Sequence, residues 1–85
     1  MADEISNTIS NMYKKIAETY EKSGDLKKAI EQYKRLVNYH DKKSNRLECR
    51  NYCVKIGELC EKIDNGEEAL EYYEKALAYQ NKLEE

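Results

Sequence analysis

The chain has no proline, phenylalanine or tryptophan, only three glycines and one histidine in 85 residues. With no proline and so little glycine it is poorly supplied for a β-sheet, where every strand reversal needs turn chemistry. The absence of proline also removes the strongest helix breaker, so long helices are expected. No apolar run approaches the ~20 residues that span a bilayer. The acidic opening Met1-Ala2-Asp3-Glu4 lacks the basic start of a signal peptide. A cytoplasmic protein with no direct membrane insertion is expected. Charge of one sign is lacking too: 15 Lys and Arg stand against 17 Asp and Glu, and the net −2 offers no footprint for nucleic acid or an anionic lipid surface. A chain this short makes one domain, residues 1–85, which excludes a multidomain enzyme.

What remains is rich in Glu, Lys, Tyr, Ala and Leu, and it repeats. Sliding the sequence by 40 residues aligns Asn11 with Asn51, Lys15 with Lys55, Ile16 with Ile56, Glu18 with Glu58, Glu21 with Glu61 and Lys22 with Lys62. The match continues with Ala29 on Ala69, Glu31 on Glu71, Tyr33 on Tyr73, Tyr39 on Tyr79 and Lys42 on Lys82. Repeat one covers about 5–42 and repeat two about 45–82. Turn chemistry interrupts each copy once, at Ser23-Gly24-Asp25 and at Asp64-Asn65-Gly66. Gly24 suits a left-handed helix C-terminus and Asp25 the next N-cap, while Asn65 followed by Glu68 fits a capping box. Between the copies either Ser44 or Asn45 can cap a helix, the latter with Glu48 behind it. Four helices are expected near 4–22, 25–41, 45–62 and 66–83.

Helical periodicity gives each of them a core face. Helix one turns Ile9, Met12, Tyr13, Ile16, Ala17 and Tyr20 to one side, and helix three turns Cys49, Tyr52, Cys53, Ile56, Gly57 and Cys60. Helix two offers Leu26, Ala29, Ile30, Tyr33, Leu36 and Val37, and helix four Ala69, Leu70, Tyr73, Ala76, Leu77 and Leu83. The expected fold is all-α: two antiparallel helical hairpins stacked side by side.

Tyr13, Ile16-Ala17, Tyr20, Gly24, Ala29, Tyr33 and Leu36 have the spacing of a tetratricopeptide repeat, and Cys53, Ile56-Gly57, Cys60, Ala69, Tyr73 and Ala76 repeat it. The chain resembles that family over nearly its whole length. It departs where Asp41 and Asn81 replace the usual closing proline, and in its period of 40 rather than the common ~34. The extra residues are expected to lengthen helices one and three or their connection. The segment Ile16–Glu74, with IAETYE, KAIEQY and CVKIGELCEK, is similar to the middle of a soluble NSF attachment protein, and longer repeats of this kind resemble those of LGN/Pins-type adaptors. The resemblance implies an α-α superhelix acting as a non-catalytic adaptor or scaffold that binds a peptide or helix of a partner protein.

Chemistry has little foothold. Cys49, Cys53 and Cys60 project within about 40° of one another on an ideal helix, but Cys53 and Cys60 lie roughly 10 Å apart along its axis, too far to share one zinc at about 2.3 Å from each sulfur. Buried, reduced thiols are the expected state. His40, the only histidine, stands beside Tyr39, Asp41 and Lys42 without a nucleophile, and a protonated helix-terminal role is expected for it. No phosphate loop, paired carboxylates or nucleophile elbow occurs, so no catalytic residue, cofactor or metal ligand is assigned.

Two surfaces could bind. Asn11, Lys15, Glu18 and Lys22 form a polar stripe opposite the core face of helix one, and Asn51, Lys55, Glu58 and Lys62 repeat it on helix three. In tetratricopeptide proteins that side lines the concave groove, so these rows are candidates for holding an extended or helical peptide. The alternative is a solvated face knit by Lys15–Glu18 and Glu18–Lys22 pairs. A clamp on a peptide carboxylate is disfavoured, because Glu18 and Glu58 stand where the resemblance would place asparagine. The second surface is helix four, whose outer side such arrays cover with another helix, the alternative being that its tyrosines simply tolerate half-exposure. Leu70, Tyr72, Tyr73, Leu77 and Tyr79 are candidates for self-association there, giving a homodimer, or for the cut edge of a longer attachment-protein-like adaptor.

Overall fold

The computed structural model describes residues 2–85, without the side chains of residues 2, 3 and 6. It contains α1 (Ala2–Lys22), α2 (Leu26–Lys42), α3 (Arg46–Lys62) and α4 (Gly66–Leu83), each packed on its neighbour in sequence. The Cα trace measures 41 × 34 × 13 Å. Its thinnest dimension is that of two helix layers, given interaxial distances of about 8–10 Å and a Cα radius of about 2.3 Å. One layer holds α1 and α3, the other α2 and α4.

All three connections are built alike. Gly24 takes φ +86°, and the same left-handed place is filled by Ser44 at φ 58° and Asp64 at φ 60°. The following residue donates its N–H five positions back, Asp25 to Tyr20 O at 2.9 Å, Asn45 to His40 O at 2.9 Å and Asn65 to Cys60 O at 2.8 Å, which satisfies carbonyls that the helix end would orphan. That residue then starts the next helix. Asp25 accepts from Lys28 N–H at 3.3 Å, Asn45 from Glu48 N–H at 3.4 Å and Asn65 from Glu68 N–H at 3.2 Å. Caps therefore recur every 20 residues, and Asn45, not Ser44, is the cap of α3.

The core runs continuously between the layers. Leu36, Ile56, Leu59, Cys49, Cys53 and Cys60 are its largest fully buried side chains, with Ala17, Ala29, Ala69 and Ala76 where helices approach closely. Gly57 makes room for a neighbouring ring, since a Cβ there would lie 2.5 Å from Tyr73. Two expected faces are not fully buried: on α4 Leu70, Leu77 and Leu83 are exposed, no helix following to cover them among the described residues, and α1 shows the same. Ile9, Met12 and Ile16 are exposed, while among the described side chains of α1 Ala17 alone is fully buried and Tyr13 and Tyr20 are partly so. Among the described residues α1 packs on α2 only, so the side of the helix that periodicity marks as apolar has nothing to bury against.

Candidate functional site

Two charged side-chain bridges hold the repeats in register. Lys55 Nζ of α3 lies 2.8 Å from Glu21 Oε2 of α1, and the Tyr33 hydroxyl donates to Glu21 Oε1 at 2.9 Å. Partial burial acts to raise the Glu21 pKa, but the hydrogen bonds from Lys55 and Tyr33 outweigh it and hold the carboxyl below its ordinary range. In the other layer Lys34 Nζ of α2 meets Glu68 Oε2 of α4 at 3.2 Å, and Cys60 Sγ donates to Glu68 Oε1 at 3.4 Å. Glu68, engaged with α2 and α3, does not complete the capping box on its own helix.

The polar rows lie on the α1–α3 layer. Asn11, Lys15, Glu18 and Lys22 are exposed on α1, and Asn51, Glu58 and Lys62 on α3. Lys55 differs: half-buried, it belongs to the bridge to Glu21. The pairs Lys15–Glu18 and Glu18–Lys22 do not form among the described residues, so these side chains remain available to a ligand. Asn51 Oδ1 accepts from Arg50 Nε at 3.1 Å and Nη2 at 2.7 Å, and Arg50 Nη1 donates to Gln80 Oε1 at 2.6 Å, which ties that end of the row to α4. At the opposite end Glu18, Glu21, Lys22, Leu26 and Lys62 line an open cleft of about 440 Å³.

The five side chains on α4 divide between two faces. Tyr79 turns to α2, where its hydroxyl donates to Asp41 Oδ1 at 2.8 Å, and the Tyr72 ring lies between Lys75 at 4.4 Å and Lys34 at 5.6 Å. Leu70 and Leu77 are exposed on the outer side, and half-buried Tyr73 donates its hydroxyl to Glu61. Sequence reasoning missed a cleft of about 410 Å³ between α2 and α4, lined by Lys34, Val37, Tyr72, Lys75, Tyr79 and Lys82. It joins two helices of different repeats, which a pattern read one helix at a time does not show. The stripe Ile5, Ile9, Met12 and Ile16 on α1 lies exposed. Its i, i+4, i+7, i+11 spacing marks it as apolar, while its exposure follows from the lack of a neighbour on that side among the described residues.

The three cysteines are free and buried. Burial pushes the Cys53 and Cys60 thiols up to about 11 and raises that of Cys49, so the thiolate is suppressed at neutral pH. No group of three or more His, Cys, Asp or Glu side chains converges to hold a metal among the described residues. His40 is buried against Tyr52, with ring centroids 5.8 Å apart, and edge-on to Tyr39 at 5.1 Å. Burial lowers its pKa, so the neutral ring is favoured over the protonated helix-terminal form expected from sequence.

Among the described residues no helix is long and apolar enough to cross a membrane. No curated protein and no solved structure matches the chain. The hairpin pair, with small residues at helix crossings and a common turn every 20 residues, is the architecture of a known repeat. Residues 7–82 match the tetratricopeptide repeat, and the chain belongs to that family.

Proposed function

We propose that the protein is a non-catalytic interaction module that holds a peptide or helix of a partner protein along the α1–α3 face. The observation that carries this reading is the pair of parallel polar rows on that face, of which Lys22 and Lys62 flank an open cleft without an ion pair among the described residues. The cleft sets two ammonium groups and the carboxylates of Glu18 and Glu21 around the apolar Leu26, which suits a ligand segment with an aliphatic side chain among groups that hydrogen-bond both signs, and Asn11 and Asn51 suit its backbone. Buried, protonated thiols fit a reducing cytoplasmic setting.

The test is to pan a peptide-display library on the immobilised protein and on Lys22→Glu/Lys62→Glu. Both positions are exposed, so circular dichroism should report an unchanged fold. Recovered peptides should carry an aliphatic residue among polar ones and lose about tenfold or more in affinity for the double variant, as expected when both ammonium groups of the cleft are reversed in charge. Equal affinity for both proteins would sink the groove reading.

A further inference from the structure

The α2–α3 contact is where repeat one meets repeat two, and each of its sides has a counterpart 40 residues away. On α2, Ile30 and Val37 are 3 % and 7 % exposed, whereas their counterparts on α4, Leu70 and Leu77, are 63 % and 61 % exposed. On α3, Cys49 and Ile56 are fully buried, whereas their counterparts on α1, Ile9 and Ile16, are 45 % and 42 % exposed. Tyr52, which stacks on Tyr33 and His40, has exposed Met12 as its counterpart. The molecule thus contains one complete inter-repeat interface in its middle and an unfilled half of the same interface at each end.

We propose that the two ends fill one another: α1 of a second copy packs on α4 as α3 packs on α2, and chains stack head to tail. The apolar partners are of the right kind, with Ile9 and Ile16 facing the Leu70–Leu77 side and Met12 placed over the Tyr73 ring, a sulfur–aromatic arrangement in place of the Tyr52–Tyr33 stack.

Charge gives a second, independent match. Within the chain the repeats are bridged by Lys55 to Glu21 and by Lys34 to Glu68. Moved by one repeat, the first bridge becomes Lys15 of the second copy on Glu61, the same pair of residue types. Glu61 already holds the Tyr73 hydroxyl as Glu21 holds that of Tyr33, and among the described residues neither Glu61 nor Lys15 carries an ion pair. The second bridge becomes Glu74 against Lys28 of the second copy, with the signs exchanged and the attraction kept.

Such a contact joins two different surfaces, so it propagates instead of closing into a two-fold dimer. It takes up Lys15 from the α1 row but not Lys22 or Lys62, and does not depend on a peptide binding at their cleft.

Two blocked variants test it. Leu70→Glu/Leu77→Glu closes the α4 end and Ile9→Glu/Met12→Glu closes the α1 end; all four positions are exposed, and circular dichroism checks that both variants fold. By light scattering across a dilution series to millimolar concentration, the unmodified chain should gain mass beyond a dimer. Each variant alone should stay monomeric, and an equimolar mixture should form a 1:1 pair and grow no further. A monomer at every concentration of the unmodified chain would overturn the proposal. So would an α1-blocked variant that still dimerises, which would mean a symmetric α4–α4 contact, or blocked variants that fail to pair when mixed.

Discussion

A histidine in the last turn of a helix ordinarily gains from being charged, because the final carbonyls present the negative end of the peptide dipoles. His40 occupies such a place, yet its ring is packed between Tyr52 and Tyr39, with Nδ1 unpartnered among the described residues. Desolvation of the imidazolium lowers its pKa, and of the two charged neighbours Glu48 opposes that shift while Lys43 adds to it. A group whose folded pKa lies below its unfolded value of about 6.5 contributes stability above 6.5 and loses it as the pH falls toward the folded pKa. The lowered carboxyls of Glu21 and Glu68 act in a separate window, losing their contribution only as the pH drops below about 4.5. The urea midpoint should therefore fall between pH 7.5 and pH 5.5. His40→Gln, which installs the residue found at its counterpart Gln80, should flatten that dependence, whatever it does to stability at pH 7.5. A midpoint as pH-dependent in the variant as in the unmodified chain would locate the titration elsewhere.

Helix α3 is the element on which the packing turns, since it contacts α2 on one side and α4 on the other. Its Gly57 admits the Tyr73 ring, whereas repeat one has buried Ala17 at the same place. Gly57→Val should cost about 1–3 kcal/mol by overpacking. In a Tyr73→Ala background most of that cost should vanish, and urea titration of the four proteins of the cycle measures the coupling. Costs that add independently would show that the ring does not meet this position. At this scale much was legible in advance. Gly24, Asp25, Asn45 and Asn65 announced the turns because capping chemistry is local, and all four helices lie within two residues of their expected bounds. The left-handed Ser44 and Asp64 were not announced, since neither residue type demands that conformation. Nor was it legible that Ile9, Met12 and Ile16 lie bare. Periodicity marks a face that prefers burial, but only the presence of a neighbour decides whether burial occurs. Tyr72 and Tyr79 show the same limit: their place on α4 was clear from spacing, their turn toward α2 was not.

At the scale of the molecule, a repeat protein's stability is approximately a sum of terms for each repeat and each contact between repeats. This chain has two repeats and one such contact, with exposed aliphatic side chains at both ends. If the ends are halves of one interface, joining them covalently should add a second contact without requiring association. The caps at 25, 45 and 65 place the next helix start at 85, the position that residue 5 takes when the chain is moved by two repeats. A tandem chain of residues 5–84 followed directly by residues 5–85 therefore keeps the register. At the junction it can bury Leu70 and Leu77 of the first copy against Ile9, Met12 and Ile16 of the second. Full burial of an aliphatic side chain is worth about 1.5–3 kcal/mol, and in a chain of this length each kcal/mol moves the melting temperature by about 2–4 °C. Even partial burial should raise the midpoint by roughly 10 °C over that of the single chain at a concentration where the latter is monomeric. Leu77→Glu in the first copy alone should cancel the gain, because only there does Leu77 meet the junction; the same change in the second copy should leave it. A tandem chain that melts with the midpoint of its halves would show that equal spacing and matched charge do not suffice to make the ends of this molecule complementary.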